Sequence, residues 1–391
     1  MKKLISIKVF NNEGLMLKEW INATFYKFTK EINSGLGECL ITLAEKIDYQ
    51  GTELELGNIV DIYISDEDTI EEGYIRIYSG YISMIEPYIE GSKEQILVHV
   101  LGHYTKMSVD ILKNGAQTTL YSDSTNGLTI TGPGDEADIG LIIRAIIDRY
   151  RAETTNPKLY YSASSIPLAT QTALYTLALK TYRDAFEKVI AMYSSNYFYY
   201  IDENSLVSVK TKPATATHVF QFGKHFKSID IQRSMEKIRN SLIVWNSENP
   251  GVFNHYEDEA SIIKHGRRTE FIEDSGILDD TAADNIGAKF IAENKDPDVK
   301  VICEIVDGNI DPVNGYDIES VQPGDSCSFE GFEQSLSNSL NENMLITKVE
   351  YTLEKIILTI EMSKSGLINW QSKTSKKVND LMSQGIPESY T

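Results

Sequence analysis

His99 and His103, separated by Val-Leu-Gly, have the spacing of two imidazoles that share one zinc ion. The zinc-protease form of this motif needs a glutamate directly after the first histidine as general base, and Val100 stands there. The run Ile96-Leu97-Val98-His99-Val100 alternates with period two, so a strand is expected. On a strand, residues four apart share a face but stand too far apart to chelate one ion easily. An ordinary edge or core histidine pair is the alternative. Gly132-Pro133-Gly134 ahead of a helix has the outline of a phosphate-cradling turn. Asp135, Glu136 and Asp138 crowd the place a phosphate would take, and no Lys or Ser/Thr follows at the right spacing. These carboxylates instead complement the helix dipole, with Asp135 or Asp138 as the cap. Asp66-Glu67-Asp68 hints at calcium. Counted from Asp66, however, an EF-hand needs glycine where Glu71 stands and glutamate where Ile77 stands, which leaves a solvated acidic loop.

Nucleophilic chemistry finds no better footing. There is no Gly-x-Ser-x-Gly elbow, and none of Cys39, Cys303 and Cys327 sits in a nucleophile motif. Carboxylates are plentiful, but nothing singles out a pair for glycoside hydrolysis. Tyr197-Phe198-Tyr199-Tyr200 offers rings that could stack on sugars, and a strand packed on both faces explains the same run. The sequence therefore assigns no catalytic, cofactor-binding or metal-binding residue, and no cofactor is expected.

The elements around these residues are mainly strands. Periods of two occur at Ile5-Ile7-Val9, Cys39-Ile41-Leu43, Val60-Ile62-Ile64, Ile75-Ile77 and Ile96-Val98-Val100. Turn residues separate them, as a barrel or sandwich requires. After the glycine-rich segment 125–140, residues Ile139, Ile142, Ile143, Ile146, Ile147 and Tyr150 share one helical face. Residues 169–194 fit helix and strand alike. Thr181-x-x-Asp184 has the form of a capping box, so the helix is placed from there, burying Ala185, Phe186, Val189, Ile190 and Tyr193, with a strand before it. Residues 197–213 read as strand, turn, strand. Strands return at Ile229-Ile231 and Leu242-Val244. A helix from Thr281 to Glu293 then buries Ala282, Ile286, Phe290 and Ile291, and strands run on to about Glu361. The fold class is mainly β with an α/β insertion: two β regions, each a barrel or sandwich, and a small helix-containing domain. The expected divisions are 1–134 for the first β region, 135–225 for the α/β insertion and 226–363 for the second β region, interrupted by a helix at about 279–294. Residues 364–391 form a tail.

The first and last β regions echo one another. Gly57-Asn58 opens one alternating stretch, Ile59 to Ile64, and Gly324-Asp325 opens another, Ser326 to Phe329. In each a polar loop, a paired strand (75–86 against 344–354) and a closing alternating strand (95–100 against 355–360) follow. Two similar modules per chain let three copies present six similar units, which matches a six-fold tube to a three-fold tip.

Composition narrows the class further. The chain has 391 residues, enough for two or three domains, and 41% hydrophobic with 10% aromatic residues is enough for real cores. Acidic residues outnumber basic ones by 57 to 37, for a formal charge of −20, which disfavours a protein that grips phosphates. The charge serves solubility or, more sharply, an acidic wall along which DNA slides without sticking. Three scattered cysteines without a CxxC pair fit a reducing compartment. The start, Met1 to Gly14, is interrupted by Lys8 and is not a secretion signal, and no apolar run is long enough to cross a bilayer. Synthesis in a cytoplasm and no membrane insertion are expected.

The order of the stretches 35–44, 53–66, 78–102, 181–207, 233–245, 262–274, 281–297 and 321–329 resembles the hub proteins of long-tailed phages. These include the late control D family, the T-even baseplate hub and the N-terminal hub region of tail-associated lysins. Asn240 and the turn Gly266-Arg267-Arg268 carry the resemblance most clearly. It implies a structural virion protein of the tail, made in the bacterial host cytoplasm: a homotrimer with two tube-type β-barrel domains per chain at the distal end of the tube, stacked under distal tail or tube protein and carrying a central fibre or spike. It also implies a channel for the tape-measure protein and then for DNA, which passes without specific binding. Related hubs often continue into a lytic or receptor-binding region. This chain stops soon after its second β region, so a separate protein is expected to supply the tip. A tail-associated peptidase or glycosidase is the enzymatic alternative, and a receptor- or saccharide-binding tail protein is the recognition alternative.

Overall fold

A computed structural model describes residues 3–21, 24–43, 54–66, 73–90, 93–110, 119–123, 128–131, 137–154, 157–168, 172–173, 181–190, 193, 197–226, 228–246, 251–274, 277, 279–308, 310–331 and 344–361. Seven strands come first: β1 (Lys3–Phe10), β2 (Met16–Trp20), β3 (Thr24–Glu31), β4 (Gly35–Leu43), β5 (Ile59–Asp66), β6 (Ile75–Glu90) and β7 (Lys93–Gly102). A 3-10 helix, His103–Ser108, follows them. The middle holds β8 (Thr119–Asp123), β9 (Leu128–Thr131), β10 (Ala137–Asp138), α1 (Ile139–Glu153), β11 (Thr172–Ala173), α2 (Tyr182–Ile190), β12 (Tyr197–Ile201) and β13 (Val207–Thr211). Next come β14 (His218–Gln221), β15 (Ile229–Ser234), β16 (Ser241–Trp245), β17 (Phe253–Glu257), α3 (Glu259–His265), β18 (Thr269–Glu273) and α4 (Asp280–Asn294). The chain returns to strands with β19 (Asp298–Val306), β20 (Ser326–Glu330), β21 (Met344–Tyr351) and β22 (Lys355–Glu361). The protein is thus mostly β with a few helices.

Both β regions belong to one hydrogen-bonded sheet, in the order β15-β19-β22-β21-β3-β4-β7-β6-β5-β1-β2, with β20 beside β21 and β14 beside β20. Period-two patterning turns the branched residues of each strand to one side. Cys39, Ile41 and Leu43 of β4 and Ile356, Leu358 and Ile360 of β22 lie in the same core. Each fully buried branched side chain contributes about 1.5–3 kcal/mol relative to exposure.

The echo in the sequence is a repeated strand module. β3-β4-β7-β6-β5 in the first half and β15-β19-β22-β21-β20 in the second have the same spatial order and the same order along the chain. The match extends to single bonds. Gly57 N donates to Ile82 O and Ile82 N to Asn58 O, while Gly324 N donates to Ile346 O and Ile346 N to Asp325 O. Gly57 and Gly324 both sit at positive φ, 92° and 93°, where a side chain is strained. A β-bulge follows at the same place, between Ile82 and Met84 in β6 and between Ile346 and Lys348 in β21. The bulged residue donates its hydroxyl to the strand opposite in both cases, Ser83 to His99 O and Thr347 to Thr359 O, each at 3.1 Å. The repeat breaks at one strand: β1 runs antiparallel to β5, whereas β14 runs parallel to β20.

The helices form a second core. Asp138 caps α1 by accepting from Gly140 N at 2.7 Å, and all six residues of the expected face are buried. Thr181 Oγ1 accepts from Asp184 N at 3.0 Å and starts α2. Residues 174–180, where a strand is expected, lie outside the described residues. The α4 helix and the three-stranded sheet β17-β16-β18, which interrupt the second module, share this core with α1 and α2. Lys188 Nζ lies 2.5 Å from Asp274 Oδ2 across it.

Candidate functional site

The β3–β21 junction is where the two modules meet edge to edge, with Lys348 opposite Glu31, Val349 opposite Lys30, Glu350 opposite Thr29 and Tyr351 opposite Phe28. Phe28 and Tyr351 stack, ring centroids 4.9 Å apart. The β12–β13 hairpin lies over this seam. Phe198 and Tyr200 on one of its faces form a small core with Ile32, just after β3, and Leu345 of β21. Tyr199, on the other face, belongs to the helical core. The run Tyr197-Phe198-Tyr199-Tyr200 is therefore consumed by packing on both sides of the strand, and Phe198, Tyr199 and Tyr200 are buried.

Lys30 pins the seam. Its ammonium lies 3.0 Å from Glu203 Oε2 in the hairpin turn and 3.1 Å from Gln322 Oε1, which also accepts from Tyr200 OH at 3.2 Å. The ammonium also stands 5.4 Å from the centre of the Tyr351 ring. Burial pulls its pKa below the ordinary lysine value, and Glu203 opposes that shift. One cation thus ties the first module, the hairpin and the second module together. On the far side of the hairpin, Asn33 has φ 58° and is bonded twice to Tyr199: Asn33 N donates to Tyr199 O at 2.9 Å, and the Asn33 side-chain Oδ1 accepts from Tyr199 N at 3.0 Å. The Tyr199 and Tyr104 hydroxyls are 2.9 Å apart and within 3.4 Å of Glu187 Oε1, which Arg183 holds at 2.8 Å. Burial raises both phenols well above the ordinary tyrosine value, so they act as neutral hydrogen-bonding groups.

Beside the seam is a cleft of about 210 Å³ lined by Ile59, Asp61, Arg76, Ser79, Lys158, Tyr160, Glu203, Asn204 and Ser205. Two acids face two bases, so the cleft favours neither charge. At its base Ser79 Oγ donates to Asp61 Oδ1 at 2.6 Å and lies 3.3 Å from His103 Nε2. This is a serine, histidine and aspartate in contact, but in the wrong order for nucleophilic catalysis. The carboxylate touches the serine rather than the histidine, so the hydroxyl proton is committed to Asp61 and Nε2 serves as donor. Burial, with Lys106 next, depresses the His103 pKa to about 3, and the ring stays neutral. Sequence reasoning missed this trio because its members lie on β5, on β6 and after β7.

The two histidines of the zinc-like spacing part company. His99 on β7 lies between Glu38, 2.6 Å from Nδ1, and Glu86, 3.5 Å from Nε2. His103 opens the 3-10 helix and faces Ser79 and Tyr81. Among the described residues no three His, Cys, Asp or Glu side chains group as metal ligands. The stretches 67–72 and 132–136, which hold most of the acidic loop and the Gly-Pro-Gly turn, lie outside the described residues. Cys39, Cys303 and Cys327 are buried free thiols, with Cys303 pushed up to about 12 by burial. No helix among the described residues is long and apolar enough to cross a membrane. Asn240 is fully buried and braces the turn after α3. Its amide donates to Gly266 O at 2.9 Å and Ser261 Oγ at 3.1 Å, and its Oδ1 accepts from Arg268 N at 2.8 Å.

No protein-family model and no curated protein matches the sequence. Solved structures do match the fold. A 43 kDa tail protein of prophage MuSo2 from Shewanella oneidensis superposes with TM-score 0.60 at 12% identity, over 92% of this chain and 98% of that one. A tail protein from Neisseria meningitidis gives TM-score 0.60 at 9% identity, over 93% and 98%. A prophage tail protein from Listeria monocytogenes gives 0.55 at 11% identity, over 96% and 99%. The chain has the fold of these phage tail proteins along nearly its whole length.

Proposed function

We propose that this chain is a structural subunit of a phage tail, a trimeric hub at the distal end of the tail tube. The observation that carries the reading is the doubled strand module, joined edge to edge through β3 and β21 and repeated down to the bulge and its hydroxyl bond. A heterologous contact of this kind either closes into a ring or runs on as a filament. Three copies with two modules each supply a ring of six, which adapts a six-fold tube to a three-fold tip. The divisions near 134, 225 and 363 belong to this proposal, as do a distal tail or tube protein above, a spike or fibre below, and a lumen for the tape-measure protein and DNA. The acid excess, 57 against 37, fits a wall that DNA passes without sticking. The joint built on Lys30 fixes shape and offers no reacting group, so the role is not enzymatic on this reading.

Light scattering and electron microscopy on the full chain, alone and with neighbouring tail proteins, test it. A three-fold ring is expected. A chain that stays monomeric at every concentration, even with its neighbours, overturns the reading, and so does clearing of cell walls in a zymogram.

A further inference from the structure

We infer that neighbouring copies of this chain join by pairing β15 of one copy with the outer edge of β6 in the next, repeating between chains the β3–β21 junction that each chain makes within itself. The inference rests on the oligomeric reading above and adds the surfaces that meet.

The repeat fixes the correspondence residue by residue. The matched bulges equate β21 with β6: Lys348 with Met84, Val349 with Ile85, Glu350 with Glu86 and Tyr351 with Pro87. The matched glycines equate Gln322 with Glu55. Phe28 pairs with Cys39, which pairs with Val100; Ile231 pairs with Val301, which pairs with Ile360. Because Val100 and Ile360 stand opposite the matched Ile82 and Ile346, Phe28 corresponds to Ile231, and by count Lys30 corresponds to Arg233 and Ile32 to Met235.

Both strands named have an open side among the described residues. β15 ends the sheet and has β19 as its sole neighbour among the described residues, while β6 beyond Tyr81 pairs with β7 and no longer with β5. Within the chain Ile32 and Lys30 are covered, at 5% and 3% exposed, and Gln322 and Lys348 are half-buried. Their counterparts stand open. Met235 is 46% and Met84 42% exposed, and Arg233 and Glu55 are both exposed. Lys30 reaches Gln322 at 3.1 Å, so the same geometry brings Arg233 to Glu55 of the next copy, a cation to an anion. Pro87, which brings no N–H, suits an edge and ends the ladder there. One contact is not repeated: Lys27 pairs with Glu350 at 3.5 Å, but Asp230 would meet Glu86, so attraction at the new seam falls to Arg233.

Two sets of variants in the full chain test this, all at exposed positions. Arg233→Glu and Glu55→Arg each weaken self-association at least about tenfold by setting like charges together, and the double variant restores it. Glu86→Cys with Gln232→Cys occupies directly opposite positions, where Cα atoms lie about 4.5–5.5 Å apart, within disulfide reach. Oxidation then yields covalent oligomers from the double variant and none from either single one. Oligomers that persist without cross-linking and without response to charge reversal overturn this pairing while leaving the trimer in place. A chain monomeric under all conditions overturns both.

Discussion

Lys30 Nζ and Glu203 Oε2 lie 3.0 Å apart, with the lysine side chain 3% exposed and the glutamate 25%. The asymmetry decides what each substitution does. Glu203→Gln strands a buried cation and costs about 3 kcal/mol, whereas Lys30→Met leaves a partly solvated carboxylate beside an apolar side chain of similar volume and costs about 1 kcal/mol or less. Thermal unfolding of the two variants checks the order; a larger loss from Lys30→Met contradicts it.

His103 makes stability depend on pH. Its folded pKa, about 3, lies below the ordinary 6.5. Across that window the unfolded chain binds the additional proton, so the contribution is present above about 6.5 and is lost as pH falls towards 3. His103→Gln removes this term: the loss of stability between neutral pH and the acid end of the window is smaller in the variant, by roughly 4 kcal/mol. Denaturant unfolding of both proteins across that window measures the difference.

The matched glycines give a matched pair of substitutions. At Gly57 an added Cβ meets nothing closer than 3.8 Å, so Gly57→Ala pays backbone strain alone, about 1–2 kcal/mol. At Gly324 the Cβ falls 2.5 Å from the Phe198 ring, and overpacking adds about 1–3 kcal/mol more. Unfolding midpoints are expected to fall further for Gly324→Ala, and Phe198→Leu combined with it recovers part of the loss.

Asn240→Ala deletes three hydrogen bonds from a fully buried position and leaves Arg268 N and Gly266 O without that partner. The cost is about 2–4 kcal/mol. Limited proteolysis checks where the damage falls: cleavage is expected at Gly266-Arg267-Arg268, after Arg267 or Arg268.

Periodic segments were legible from sequence. The α1 face needs only its own spacing, and the turn at 202–206 announces itself as Asp-Glu-Asn-Ser, where Asp202 Oδ1 accepts from Asn204 N and Leu206 N. Lys30 was not legible. A lysine in an alternating strand reads as solvent-facing, and its burial depends on partners 173 and 292 positions away. The seven-residue helix α3 buries only Ser261 and so has no period to read. The Asp61-Ser79-His103 trio likewise exists only once β5, β6 and the 3-10 helix are neighbours.

The reversed direction of β14 marks one module of each pair. In the trimeric ring proposed above, a partner docking on the bulges would meet near-copies at every step, and a partner docking along β14 would meet a different backbone at every second step. On that proposal a single gene product counts to six for one neighbour and to three for another.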